Sequence, residues 1–272
     1  MPHRKGSPRH FHGQAWLFSS ALALGLMAMS AAKAQEVEAA TEHDSATEDT
    51  SRWGLGLAAA VLERPYRDYD NETKVIPIVY FENRWMSLNG GRFDFKINQS
   101  EALSFRLRAR YALDGYDPDE SDYLQGMEER DDSAWVGGAV VWKPSFAEIS
   151  AEYLTDAMDK SGGSRARLEV EHRFAMGRFG LTPRLAAEWV DQKYVAYYYG
   201  VRPEEATADR LPYEGDATAN VEAGVRLDYS PSRKHTFFMD VSAVGFGDEI
   251  KNSPLVEQSQ QARVTAGYLF HF

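Results

Sequence analysis

Apolar and charged residues alternate along many short segments of this chain. In segment 165–174, apolar residues take the even positions and charged residues the odd ones, with His172 as the exception. Segment 104–113 repeats the pattern, with Arg106, Arg108 and Arg110 between apolar neighbours. Alternate side chains of a β-strand point to opposite faces. The pattern therefore predicts strands with one apolar face and one charged face.

The pattern predicts about twelve strands, provided that 180–199 is a single long strand. They lie at 53–62, 74–82, 84–89, 92–98, 102–113, 134–142, 145–154, 165–175, 180–199, 217–229, 234–244 and 262–272. Short turns at 143–145, 176–179 and 230–233 alternate with long polar loops at 63–73, 114–133, 155–164, 200–216 and 245–261. This alternation is typical of an antiparallel, up-and-down transmembrane β-barrel with short periplasmic turns and long external loops. A soluble secreted β-protein is the alternative, but a second sheet would then have to cover each apolar face.

In a barrel of this kind the charged faces point into the lumen. The candidate lumen charges are Arg106, Arg108, Arg110, Glu169 and Glu171. We expect the arginines to meet carboxylates across the lumen, drawn from Glu148, Glu152, Glu169, Glu171 and Glu188. Such charges can line a channel or close it by pairing, and the sequence does not decide between these two outcomes.

Aromatic residues make up 12% of the chain, and many stand near predicted strand ends. Interfacial girdles of transmembrane proteins are rich in such residues. The predicted girdle residues are Trp53, Trp85, Trp135, Trp142, Trp189, Tyr197, Tyr198 and Tyr199.

The first 34 residues have the pattern of a secretory signal peptide. Arg4, Lys5 and Arg9 precede an apolar run from Ala15 to Met29, and Ala32-Lys33-Ala34 forms a small-x-small cleavage site. The run is shorter than the roughly 20 residues of a spanning helix, which disfavours a membrane anchor. We therefore expect a signal peptide at 1–34, a disordered acidic periplasmic tail at 35–51 and an outer-membrane barrel at 52–272.

The last segment, 262–272, places aromatic residues at every second position. Its Gly267, Phe270 and Phe272 match the Gly-x-x-aromatic-x-aromatic ending of a closing strand in bacterial outer-membrane barrels. In that resemblance, these three residues are the signal read by the barrel-insertion machinery. Ala266 stands where the pattern usually has a polar residue.

Composition excludes several other functions. Without the predicted signal peptide the chain carries 26 basic and 41 acidic residues, which disfavours nucleic acid as a partner. The absence of cysteine excludes thiol catalysis and thiolate metal sites. Asp117, Asp119, Ser121 and Glu128 have the spacing of a calcium loop, but Asp122 stands in place of its glycine. Because of this departure from the calcium-loop pattern, we expect no specific metal site. We also expect no enzyme activity and no cofactor, since no serine motif accompanies the histidines.

Five short motifs resemble the MipA/OmpV family of outer-membrane proteins. They are Arg64-Pro65-Tyr66, Ile76-Pro77-Ile78-Val79-Tyr80, Leu124-Gln125-Gly126-Met127, Tyr198-Tyr199-Gly200-Val201 and Asn252-Ser253-Pro254-Leu255-Val256. The resemblance spans nearly the whole chain after the signal peptide. It supplies no catalytic or partner-binding residues.

The resemblance implies a scaffold in the outer membrane that links a murein lytic transglycosylase to a penicillin-binding murein synthase. We expect the periplasmic tail and the short turns to carry that role. Two alternatives remain open, a porin-like channel for small solutes and a surface adhesin or receptor that acts through the acidic loops 114–133 and 200–216. The expected partners also include outer-membrane lipid and the barrel-insertion machinery.

Overall fold

The computed structural model describes residues 51–98, 100 and 102–272. The predicted signal peptide at 1–34 and, apart from Ser51, the predicted acidic tail at 35–51 lie outside these residues.

The described part of the chain contains thirteen strands and two α-helices. The strands are β1 (Arg52–Leu62), β2 (Glu72–Glu82), β3 (Met86–Asn89), β4 (Arg92–Lys96), β5 (Leu103–Ala112), β6 (Ser133–Trp142), β7 (Glu148–Asp156), β8 (Ser164–Glu171), β9 (Phe174–Met176), β10 (Phe179–Val190), β11 (Thr218–Ser232), β12 (His235–Gly245) and β13 (Gln260–His271). The helices are α1 (Gln192–Tyr199) and α2 (Asp248–Lys251). Neither of these helices has the length and apolarity that crossing a membrane requires.

The strands form a closed antiparallel barrel. Each strand pairs with its neighbours along the chain, and β1 pairs with β13 so that Leu55 lies opposite Phe270. β8 and β9 both pair with β10, which makes them one strand interrupted at His172 and Arg173. The barrel therefore has twelve strands, which confirms the predicted architecture and leaves no open edge at the two ends of the sheet.

The outward faces of the strands are apolar and exposed. Leu55, Leu107, Leu168 and Leu185 are each between 52% and 58% exposed, on four separate strands. Apolar surface of this extent is unfavourable in water, and lipid covers it in an outer-membrane barrel.

Connections of different length separate the two ends of the barrel. One end, here called the turn end, carries the turns 83–85, 143–147, 177–178 and 233–234. The opposite end, here called the loop end, carries the connections 63–71, 113–132, 157–163, 191–217 and 246–259. This confirms the predicted alternation of short and long connections, with one exception: the two-residue hairpin at Gly90-Gly91 lies at the loop end.

The prediction of a single strand over 180–199 is wrong. β10 ends at Val190, and Asp191 caps α1 by accepting a hydrogen bond from the backbone N–H of Tyr194 at 2.9 Å. Tyr194, Val195, Tyr198 and Tyr199 are buried, and their spacing of one, three and four residues is that of a helix face. The strand count remains twelve because this helix belongs to a loop.

Four of the predicted girdle residues lie on the outer surface, and the others do not. Trp53, Trp85, Trp142 and Trp189 are 41–47% exposed. Trp135 is fully buried inside the barrel, because it lies an odd number of residues from Trp142 on the same strand and so faces the other way. Tyr198 and Tyr199 are buried in the α1 helix, and Tyr197 is half-buried beside them.

One part of the barrel wall is low. β3 and β4 are short, and β2 pairs with β3 only over Tyr80–Glu82. Asn83 donates its backbone N–H to the carbonyl of Met86, the first residue of β3. The backbone N–H and C=O groups of the odd-numbered residues of β2 therefore point toward β3. Pro77, which has no N–H, lies at such a position beyond the end of β3, where a proline removes no ladder hydrogen bond.

Candidate functional site: the barrel interior and its loop cap

A belt of ion pairs crosses one half of the barrel interior. Arg108 on β5 binds Asp94 on β4 through two hydrogen bonds of 2.7 and 2.8 Å and also pairs with Glu152 on β7. The side chains of these three residues are each only 2% exposed. Arg106 adds a contact to Asp94 at 3.0 Å, and Arg110 one to Glu152 at 3.1 Å.

The belt continues around the interior on β8, β10, β11 and β12. Arg167 binds Glu169 at 2.6 Å and Glu222 at 2.9 Å. Arg184 then joins the same Glu222, at 3.1 Å, to Asp240, at 2.6 Å. Asp94, Glu152 and Glu222 each bind two arginines, so the described ion pairs form two small networks, one on β4, β5 and β7 and one on β8, β10, β11 and β12.

The structure brings together some of the predicted lumen charges and separates others. The arginines at 106, 108 and 110 all point inward. Of the predicted carboxylates, Glu152 forms ion pairs with two of them, Arg108 and Arg110. Glu169 binds Arg167 instead, and Glu171 makes no ion pair within the described residues. Asp94 was not among the predicted lumen charges, although its position between Phe93 and Phe95 follows the same alternation. Both phenylalanines are exposed on the outer face, and Asp94 points inward.

The other half of the interior is apolar and includes a row of small residues on β1. β1 presents Gly54, Gly56, Ala58 and Ala60 to the inside, and Ala58 packs with Ile78 and Leu269. A Cβ atom on Gly56 would lie 2.0 Å from the backbone oxygen of Tyr268. The interior therefore has a charged wall and an apolar wall.

The long connections fold into a compact cap over the loop end. Its core contains buried side chains from four of these connections, including Tyr66, Leu124, Tyr199, Ile250 and Leu255. Tyr66 donates its hydroxyl to the Tyr198 carbonyl at 3.3 Å, and Ser253 donates to the Tyr199 carbonyl at 2.6 Å. Four of the five sequence motifs, all except the one on β2, contribute residues to this core, which gives them a shared structural role.

A buried ion pair holds two of the cap loops together. Arg130 binds Glu205 through contacts of 2.8 and 2.9 Å and donates to the Tyr197 carbonyl at 2.7 Å. Burial alone would raise the pKa of Glu205, but the backbone N–H groups of Arg202 and Glu128 and the Arg130 guanidinium hold it below 4.5. Burial raises the pKa of Tyr116, beneath the Arg130 guanidinium, to about 12, so its phenol stays neutral.

The residues with calcium-loop spacing have separate roles in the cap. Asp117 caps a short turn by accepting the backbone N–H of Asp119 at 2.9 Å, and Ser121 donates to the Arg67 carbonyl at 2.7 Å. Glu128 pairs with Arg202. No group of three potential metal ligands occurs in the residues that the structure describes.

The three described histidines form no pair with a serine. His235 contacts the Tyr268 hydroxyl at 2.7 Å, and His271 contacts the Thr236 hydroxyl at 3.3 Å. His172 packs against Phe174 with 4.5 Å between ring centroids. The hydrogen bonds between described residues therefore include no serine–histidine unit for nucleophilic catalysis.

The residues predicted to signal assembly lie at the seam between β13 and β1. Gly267 faces inward beneath Phe238, whose ring would be 2.6 Å from a Cβ atom at this position. Phe270 packs edge-on against Phe272 at 5.2 Å between ring centroids. The backbone N–H of Phe272 donates to Trp53 at 3.0 Å, which extends the closing ladder to the last residue.

Comparison with known proteins identifies the family. Residues 55–272 match the family model for the MltA-interacting protein MipA. The chain is 28% identical over 232 residues to the putative outer membrane protein YiaT of Escherichia coli K12, covering 84% of this chain and 94% of YiaT. It is 25% identical over 232 residues to the MltA-interacting protein of the same strain, covering 81% and 90%. A solved structure of the NanC porin has a TM-score of 0.43 and 10% identity, covering 79% of this chain and 98% of the porin. With its closed twelve-strand barrel and a family match from Leu55 to its last residue, this chain belongs to the MipA family of outer-membrane β-barrel proteins.

Proposed function

We propose that this protein is a closed, non-enzymatic anchor in the outer membrane that holds murein-remodelling enzymes on its periplasmic side. The observation that carries the proposal is the burial and mutual pairing of the Asp94, Arg108 and Glu152 side chains beneath a packed loop cap. Because these charges are paired and desolvated, we expect them to leave no wide aqueous path through the barrel, and this expectation disfavours the porin-like alternative.

The distribution of charge supports docking at the turn end. Arg178, Arg233 and Lys234 are exposed in two adjacent turns, and none has an ion-pair partner among the described residues. The chain as a whole carries a net charge of −11, so these cations stand out from an acidic protein. Complementary charge speeds and orients association, so a partner with an acidic surface fits this end.

The relatives supply the identity of the proposed partners. One relative is named for an interaction with MltA, and the resemblance noted above connects the family with a murein lytic transglycosylase and a penicillin-binding murein synthase. The anchor would hold such enzymes near their murein substrate. The acidic segment 35–51, which the sequence predicts to be a periplasmic tail, is a second candidate contact.

An affinity experiment tests this function. Folded mature protein, verified by heat-dependent gel mobility, is immobilised and exposed to periplasmic and solubilised envelope extract, and the eluate is assayed for murein cleavage and synthesis. We expect retention of one or both activities, reduced at least tenfold by the combined changes Arg178→Glu, Arg233→Glu and Lys234→Glu.

The matched control changes three lysines at the loop end to glutamate. They are Lys160, Lys193 and Lys251, which are also exposed or half-exposed. This control should retain the murein activities at the level of the unmodified protein. Absence of both activities from the eluate, or equal loss with the two triple variants, would contradict the anchor function. A variant lacking 35–51 separates the contribution of the tail from that of the turns.

A further inference from the structure

An open cavity of about 670 Å³ lies in the loop cap, apart from the turn end and from the charged belt. It is bordered by α1, by the connection between β7 and β8, and by the segments 201–203 and 212–214. Sites for small molecules have volumes of roughly 300–1,000 Å³. The cavity is therefore large enough for one or two sugar rings.

The charged side chains that line this cavity are mostly cationic. Among the residues that line the cavity, Lys160, Lys193 and Arg202 are cationic, and Glu214 carries the one carboxylate. Lys193 is exposed and has no ion-pair partner among the described residues, so its ammonium is available to an anion.

The other two cations have partners that a ligand can replace. Lys160 binds Asp131 with side chains 32% and 50% exposed, and Arg202 binds Glu128 with side chains 40% and 67% exposed. Ion pairs exposed to this degree are weak, because water screens the attraction between the charges. An anionic group in the cavity can therefore compete for both cations.

Flat apolar rings form the remaining walls. Tyr197, Pro203, Pro212 and Tyr213 line the cavity together with the hydroxyl-bearing Ser161. The Tyr197 ring is fixed by the Arg130 guanidinium, 5.5 Å from its centroid, and by the edge of Tyr198 at 4.8 Å. Flat apolar faces of this kind accept the C–H face of a sugar ring, while the nearby cations accept its acidic group.

The walls are also held in place before any ligand binds. Val201 and Tyr213 exchange two backbone hydrogen bonds, of 2.7 and 3.0 Å, across the cavity wall. Tyr213 donates its hydroxyl to the Glu249 carbonyl at 2.8 Å. A site fixed in this way loses little conformational freedom on binding.

We propose that this cavity binds an acidic saccharide, that is, a sugar carrying a carboxylate or phosphate group, at the loop end of the barrel. The same chemistry occurs in soluble acidic oligosaccharides and in the sugar portion of lipopolysaccharide in the outer leaflet. The binding site is independent of the anchor function, because the two lie at opposite ends of the barrel.

Titration calorimetry of the detergent-purified mature protein with digalacturonate tests the soluble source. We expect saturable binding that lactose, a neutral disaccharide, does not reproduce. Lys193→Glu should weaken it at least tenfold, and glutamate is tolerated in the first turn of a helix, so α1 is retained. Lys143→Glu, at an exposed site on the turn end, is the matched control and should leave the affinity unchanged.

The second arm measures the amount of lipopolysaccharide that the immobilised protein retains after washing. If digalacturonate does not bind but lipopolysaccharide is retained and Lys193→Glu releases it, the acidic sugar is that of the lipid and the proposal stands. The proposal is wrong if neither probe binds, if lactose binds equally well, or if Lys193→Glu and Lys143→Glu have equal effects. All variants are checked for heat-dependent gel mobility, so a folding failure is recognised as such.

Discussion

Arg108 lies where three strands bring opposite charges together inside the barrel. Its guanidinium forms ion pairs with both Asp94 and Glu152, and all three side chains are 2% exposed. Removing one member of a buried ion-pair network leaves the others desolvated without full compensation. The consequence is a large effect on stability from a single residue.

We predict that Arg108→Met lowers the free energy of unfolding by about 3–5 kcal/mol. Urea titration of the folded barrel in detergent or lipid measures this change. Lys143→Met is the control, because Lys143 and its partner Glu148 are 47% and 33% exposed and such a pair contributes only about 0–1 kcal/mol. Similar losses in the two variants would contradict the structural role assigned to the belt.

Gly267 provides a second test at this scale. Its missing side chain leaves room for the Phe238 ring, which a Cβ atom would approach to 2.6 Å, and for the Leu57 carbonyl at 2.8 Å. We predict that Gly267→Val destabilises the barrel by about 1–3 kcal/mol, as overpacking does in a tight interior, and lowers the folded fraction seen as heat-dependent gel mobility.

The control for this prediction is Gly138→Ala. Nothing lies within 4 Å of a Cβ atom at Gly138 on β6, so its folded fraction should match that of the unmodified protein. A Gly267→Val protein that folds as well as Gly138→Ala would show that the Phe238 ring moves aside without cost.

The alternation of residues was sufficient to predict which side chains face inward, but not which of them meet. Arg108 and Glu152 are 44 positions apart, and their contact depends on the register of three strands. A register shift of one residue turns a side chain to the opposite face. The inward orientation of Trp135 was predictable, because it lies seven positions from the outward-facing Trp142 on β6 and so faces the other way. Its aromatic character alone led to the wrong prediction of a girdle position.

At the scale of elements, α1 differs most from the expectation. Its aromatic residues suggested the end of a strand, whereas Asp191 at the N-cap and the burial of Tyr194, Val195, Tyr198 and Tyr199 indicate a helix. An acidic N-cap followed by apolar residues three and four positions apart is a sequence signal for a helix. Its burial in a cap core built from four connections was not predictable from the local pattern.

We predict that Asp191→Ala loosens the cap without unfolding the barrel. The Asp191 carboxylate accepts N–H groups from both Tyr194 and Ser164, each at 2.9 Å, and the loss of an N-cap typically costs about 1 kcal/mol. Hydrogen exchange in 191–217 should therefore accelerate about fivefold. The neighbouring change Gln192→Ala should leave exchange unaltered, and equal protection in both variants would contradict the capping role.

The Arg130–Glu205 pair makes the cap sensitive to acid. The pKa of Glu205 is lowered in the folded protein, so its contribution to stability is complete above 4.5 and is lost as the pH falls through the folded pKa. We predict that protease cleavage of the cap loops increases as the pH falls below 4.5.

Glu205→Gln tests whether this carboxylate is the cause. The variant should be cleaved faster than the unmodified protein at pH 7, with a smaller further increase on acidification. If the pH dependence is the same in the variant, other carboxylates are responsible for the loosening of the cap. An acid-stable protease with one cleavage site in 191–217 makes the comparison direct.

At the scale of the whole molecule, the barrel has two chemically different ends. The loop end is a packed cap, and the turn end presents Arg178, Arg233 and Lys234 on short turns. The twelve-strand closure and the alternation of short and long connections were predictable from the sequence, because a period of two persists along the whole domain. The pairing of the inward-facing charges depends on contacts between distant residues and was not predictable.

The most direct test of the closed interior is conductance of the purified mature protein in a planar lipid bilayer, with a porin inserted by the same procedure as a positive control. The account predicts that verified insertion of the folded barrel produces no stable single-channel steps. Reproducible steps of uniform size from the unmodified protein would contradict it and would favour a channel for small solutes.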